Sequence, residues 1–173
     1  MLQLLFCVET NKKSNTDYVY IKETINEYYD YDRNKISFKP VFMESKTKYK
    51  SNKVINSIKA YQQNKDIRSI VIYCIDLDKL DLSPEDQERF RDIQSYCAQK
   101  GYEIVWFSRD VEEVFWHKRI DPKEKVRYAS NFRAHSLIKK INPEVLAGND
   151  HKQKQTSNIL SILDKFLTRK KNV

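Results

Sequence analysis

The sequence predicts an α/β fold: a mainly parallel four-stranded sheet flanked by helices, with a helical C-terminal extension. Two observations carry this. Segments of strand length alternate regularly with segments of helical periodicity, the pattern produced by right-handed crossovers onto a parallel sheet. Residues 69–75, Ser-Ile-Val-Ile-Tyr-Cys-Ile, form an almost unbroken apolar and β-branched run. Such a run suits a strand buried on both faces.

Residues 2–8 are a short apolar run and form the first strand, which ends in Glu9-Thr10-Asn11 followed by Lys12 and Lys13. From about 16 to 29, Tyr18, Ile21, Ile25 and Tyr28 keep one helical face. A polar turn at 30–34 leads to the second strand, 36–43. Pro40 within it donates no ladder hydrogen bond, so this strand belongs at an edge. After Glu-Ser-Lys-Thr-Lys-Tyr-Lys at 44–50, Ser51 caps a helix that turns Val54, Ile55, Ile58 and Tyr61 inward.

The central strand stops at Asp76-Leu77-Asp78. If the backbone stays extended there, side chains two residues apart share a side, and the two carboxylates point together. Taken alone, the pair reads equally as metal ligands or as turn and helix-cap residues. Ser83-Pro84-Glu85-Asp86 then starts a helix: Ser caps, Pro takes the first turn, and two acids face the positive end of the dipole. Phe90, Ile93 and Cys97 form its inner stripe, and Gly101 stops it. The fourth strand, 102–107, runs through Ser108-Arg109-Asp110 into a short helix at 111–118. Beyond a break at Pro122, a basic helix is expected over 123–141, a polar loop over 142–155, a last helix over 157–167, and a frayed basic tail.

The 173 residues suit one domain, divided here into a core at 1–118 and a helical extension at 119–173 packed on it. A net charge of +8 favours a polyanionic partner. No stretch is long and apolar enough for a membrane span, and the first eight residues lack a signal peptide's features. Cys7, Cys74 and Cys97 lack metal-ligand spacing and read as small buried residues of a cytoplasmic protein. With two glycines in all, glycine-rich phosphate loops are excluded. The three histidines show no zinc spacing with cysteine.

For four strands the common doubly wound order is 2-1-3-4, with ligands outside the carboxyl ends at the switch between the first and third strands. That order brings Glu9 against Asp76 and Asp78, with the acidic exit Asp110–Glu113 on the same edge. On the short helix Val111, Val114 and Phe115 mark the buried face. Glu112 borders that face, whereas Glu113 is expected to point to solvent. Lys12, Lys13, Lys46, Lys48 and Lys50 lie in loops that open on this edge. An acidic centre within a lysine rim suits a metal in the middle and nucleic-acid phosphates around it.

An acid after the first strand (Glu9), Asp76-Leu77-Asp78 after the third, and Glu112 near Trp116 resemble the Toprim domain of topoisomerases, primases and OLD-type nucleases. They also resemble the small RloB-like and abortive-infection Toprim proteins of bacterial defence. The resemblance spans about residues 2–118. It implies a Toprim-like (Rossmann-like) fold and an Mg²⁺- or Mn²⁺-dependent nuclease cleaving DNA or RNA in anti-phage defence. Asp76, Asp78 and Glu112 would hold the metal, and Glu9 would transfer protons or serve as a further ligand. The implied partners are nucleic acid and an ATPase or other defence protein. Thr10 stands where the family commonly has glycine, and Glu112 and Glu113 both fit the last position. These features keep a second reading open, a catalytically silent Toprim-like module that binds nucleic acid or protein. A receiver-like phosphotransfer switch would need a lysine at the fourth strand, and residues 102–107 contain none.

Overall fold

The computed structural model describes residues 1–78 and 83–171; the last two residues of the central segment 69–80 lie outside them. Four parallel strands form the main sheet: β1 (Leu2–Val8), β3 (Ile36–Phe42), β4 (Arg68–Asp76) and β5 (Glu103–Phe107). Their order is β3-β1-β4-β5, the doubly wound arrangement expected from the alternation of elements. Registers run from Leu2↔Ile36 to Val8↔Phe42 on one side of β1, and from Leu2↔Arg68 to Cys7↔Tyr73 on the other. Pro40 sits in β3, which is an edge strand as its missing donor requires.

The strict two-residue alternation of strand side chains divides the core into two layers. Leu4, Phe6, Val8, Ile72, Cys74, Val105 and Phe107 face one way. They pack against α1 (Thr16–Tyr28), α4 (Val111–Trp116), α5 (Lys125–Ala134) and α7 (Ile159–Leu163). Leu5, Cys7, Val71, Tyr73 and Ile75 face the other way, against α2 (Asn52–Gln62) and α3 (Pro84–Lys100). Each such fully buried aliphatic side chain contributes on the order of 1.5–3 kcal/mol. All three cysteines are free and buried in these layers.

Several helix ends follow local chemistry. Ser51 and Ser83 accept hydrogen bonds from the amides of Val54 and Asp86. Gly101 ends α3 in the left-handed conformation (φ 66°), which costs little without a Cβ. Asp110 caps α4 through the Glu113 amide at 2.7 Å.

The C-terminal third departs from the expected long helices. The basic stretch breaks into α5 and a 3₁₀ turn at Leu137–Lys140. The polar loop contains α6 (Pro143–Leu146), capped by Asn142, and the last helix shortens to the five residues of α7. The break after α5 has a visible cause: Ser136 has left-handed backbone (φ 48°), which a helix does not accommodate. The described part of the tail, up to residue 171, does not fray. Thr168–Arg169 (β6) pairs antiparallel with Tyr29–Asp30 (β2), and Arg169 forms a bidentate ion pair with Asp164. Tyr29 Oη donates to Leu160 O at 3.1 Å or to Asp164 Oδ1 at 2.8 Å. Among the described residues no helix is long and apolar enough to cross a membrane.

Candidate functional site

The switch between β1 and β4 places Glu9 and Asp76 side by side at the carboxyl edge. Glu9 is held by two backbone donors: the Asp76 amide to Oε1 at 2.9 Å and the Lys46 amide to Oε2 at 3.3 Å. It thereby joins the ends of β1 and β4 to the 3₁₀ turn Lys46–Lys48 that follows β3. Asp76 Oδ1 accepts the Val111 amide, at the start of α4, at 3.1 Å. Both acids keep some solvent contact, although protein surrounds them densely. Burial raises the Glu9 carboxyl to about 7, against the Asp76 amide and Lys46, which favour its charged form. Asp76 is pushed well above the usual carboxylate range, first by burial and then by repulsion from Glu9, Asp17, Glu112 and Asp110.

Asp78 does not share this environment. The strand ends at Asp76, Leu77 turns into the core, and Asp78 adopts a left-handed conformation (φ 42°). The expected extended geometry is therefore absent, because the Asp78 amide is drawn to Arg109 O at 2.7 Å. Its half-exposed carboxylate lies 2.6 Å from Lys46 Nζ. The same ammonium donates to Asp76 O at 3.0 Å and lies 3.9 Å from Asp86. Lys46, with 12 % of its side chain exposed, is thus a counter-ion within the acidic site rather than part of a solvated rim.

Glu112 is fully buried, and Glu113 is 8 % exposed, so the expectation of a solvated Glu113 is corrected. Arg109, 3.7 Å from the Glu113 carboxylate, lets it turn inward. Glu112 Oε2 lies 2.7 Å from Lys125 Nζ, which also approaches Asp110 Oδ2 at 3.4 Å. Lys125 is thus the charged donor to Glu112 Oε2, whereas Glu112 Oε1 is buried with no donor among the described residues. Burial raises Glu112 to about 7 despite Lys125. Burial pushes Lys125 down, but attraction to Glu112, Asp110 and Asp76 outweighs it and holds the ammonium above its ordinary range.

Two participants escaped the sequence reasoning. Asp17, at the start of α1, is buried; burial raises its pKa, and its charge repels those of Glu9, Asp76 and Glu112. Lys125 comes from α5, outside residues 2–118. Trp116 closes the same side, its indole N–H donating to Tyr20 Oη at 3.0 Å.

The remaining lysines divide by surroundings. Lys48 pairs with Glu44 at 2.9 Å, Lys50 lies over the Tyr49 ring at 5.4 Å, and Lys12 and Lys13 are exposed on the β1–α1 loop.

Among the described residues, no three His, Cys, Asp or Glu side chains converge closely enough to hold a metal ion as they stand. The donors nevertheless fit a hard divalent cation. They are carboxylate oxygens, Glu112 Oε1 is buried without a donor, and Glu9, Asp17, Asp76, Asp110 and Glu112 outnumber the ammonium groups of Lys125 and Lys46 beside them. No family model, no curated protein and no solved structure matches this chain.

Proposed function

We propose that this chain is an Mg²⁺- or Mn²⁺-dependent nuclease that cleaves phosphodiester bonds in DNA or RNA. The observation that carries the proposal is the excess of buried carboxylates at the switch point of a parallel sheet, where α/β folds bind ligands. Asp76 and Glu112 would hold the cation, with Asp78 brought in from the open side and Glu9 completing the set. A bound divalent cation polarises the phosphate and neutralises charge on the departing oxygen. Glu9, raised to about 7, can hold or release a proton near neutral pH, which suits general acid–base work. Its two backbone donors keep the carboxyl oriented. Lys46 supplies positive charge between Asp76 and Asp78, beside the position a phosphate would take on the cation. The defence setting and an ATPase or other partner protein rest on the Toprim resemblance alone.

A specific feature supports a second reading, the silent binding module. Lys125 and Lys46 already supply counter-charge to Glu112, Asp110 and Asp78. In that case the ammonium groups do permanently what a metal would do.

The two readings separate when purified protein is incubated with plasmid, single-stranded DNA and total RNA in Mg²⁺, Mn²⁺ or EDTA. The nuclease reading expects metal-dependent cleavage that disappears in Asp76→Asn. Binding of nucleic acid with no cleavage in any metal supports the silent module.

A further inference from the structure

The two edges of the sheet are finished differently. At the β5 edge, residues 156–158 act as a substitute strand. Ser108 N–H donates to Thr156 O at 2.9 Å, and Asn158 both accepts from Trp106 N–H at 2.9 Å and donates to Ile104 O at 3.0 Å. At the opposite edge, β3 pairs only with β1 among the described residues. An open groove of about 1150 Å³ lies there, between the β1–α1 loop and α2. An unpaired edge normally invites another strand. Pro40 lies on this groove and has no N–H to offer one, which counts against an added peptide strand.

The groove chemistry favours a different occupant. Lys12 and Lys13 stand on one wall, exposed and without an ion pair among the described residues. Lys53, Ser57 and Tyr61 recur every four residues along the other wall, a row about 12 Å long at 1.5 Å per residue. Glu44, the acid on the rim, is already held by Lys48 and Lys53. Tyr61 and Phe42 are half-buried aromatic residues that line the groove. Cations flanking aromatic rings along a track are the usual equipment for unpaired bases and their phosphates. A duplex keeps its bases stacked internally and would use only the lysines. The Lys12–Lys13 wall belongs to the loop that begins at Glu9, so a strand lying in the groove would lead to the acidic site.

We infer that the open β3 edge is the binding track for a single-stranded nucleic acid, which Lys12 and Lys13 hold by phosphate and Tyr61 by base stacking, while Lys53 offsets Glu44. This inference rests on the nuclease reading for its direction, but binding can be measured apart from cleavage.

The experiment uses fluorescence anisotropy of the whole chain in EDTA, with labelled oligo-dT, a duplex of equal length, and poly-glutamate as competitor. Wild type should prefer the single strand, and poly-glutamate should compete poorly. Lys12→Gln/Lys13→Gln should lower the log–log salt slope by about 0.7 per lost contact. Tyr61→Leu, which keeps bulk on α2, should weaken oligo-dT binding about tenfold, within the usual range for losing one stacked base. Circular dichroism on each variant separates lost binding from lost folding; if Tyr61→Leu unfolds, Lys12→Gln/Lys13→Gln on the exposed loop carries the test. Equal binding of duplex and single strand, equal competition by poly-glutamate, or unchanged affinity in folded variants overturns the inference. Cleavage that survives in variants with unchanged binding leaves the nuclease reading standing while the groove fails. Tight, Tyr61-dependent binding without cleavage in any metal does the opposite.

Discussion

The acidic site has a closed side and an open side, and similar chemical groups behave differently on each. On the closed side Asp17, Asp76 and Glu112 are packed under α1, α4 and α5, and burial raises the pKa of all three. Lys125 is their ammonium. On the open side Asp78 is half-exposed and pairs with Lys46 at 2.6 Å, a shorter contact than the 2.7 Å between Lys125 and Glu112. Contact length therefore does not rank these pairs. Water screens the outer one through Asp78, while the inner one holds a fully buried Glu112 and matters most when its partner is removed.

The largest expected effect tests whether the closed side is the chemical centre. Asp76→Asn should reduce metal-dependent cleavage about a thousandfold, equivalent to several kcal/mol of lost charge stabilisation. It should also abolish the rise in melting temperature on adding Mn²⁺. Without metal the variant should melt above wild type, because a neutral amide replaces a carboxylate repelled by four others. A lower metal-free melting temperature would place the Val111 amide contact above that repulsion.

Lys125→Met should come next. It strands Glu112 in the core and should destabilise the fold by about 2–3 kcal/mol, below the usual cost of breaking a fully buried pair because Lys125 keeps a quarter of its surface. Mn²⁺ affinity by calorimetry should rise, since a competing cation is gone. Weaker Mn²⁺ binding would mean that Lys125 positions Glu112 rather than competing for it.

A series of denaturation curves across pH tests the same side as a group. Glu9 and Glu112 sit at about 7 in the fold against an ordinary 4.5. Carboxyls that hold protons more tightly when folded add stability at low pH, and that contribution is lost as pH rises from about 4.5 through 7. Metal-free protein should therefore weaken across this window, and Mn²⁺ should offset the loss near neutrality. A flat profile would mean that Lys46 and Lys125 already neutralise the cluster.

The smallest effect belongs to the open side. Lys46→Met should cost about 1 kcal/mol or less in urea unfolding, because Asp78 is half-exposed. A cost as large as that of Lys125→Met would erase the distinction between the sides.

The sheet order and the start of each core helix were legible because they follow from repeated local signals: apolar runs, serine caps, Pro84 and Gly101. Glu9 and Asp76 were legible as strand-end acids. Asp17 and Lys125 were missed although both lie on buried helical stripes. Asp17 precedes Ile21, Thr24 and Tyr28, and Lys125 precedes Ala129 and Phe132. A charged residue that extends an apolar stripe by one turn is the signal that could have found them. Asp78 and Glu113 depended on backbone turning and on Arg109, which periodicity does not encode. The C-terminal third was least legible because its short elements are held by distant partners, as when Tyr28 Oη donates to Ile141 O at 3.1 Å.

The position of β1 has a consequence for synthesis. It is interior to the sheet, yet it precedes both of its neighbours, β3 and β4, in the chain. At a translation rate of about 5–20 residues per second, its apolar side chains and unpaired backbone edge wait several seconds on the ribosome before β4 emerges to cover its second edge. Cells that make this protein in excess should need a holdase chaperone to occupy that strand. Slowing translation across residues 8–76 should then lower the soluble yield.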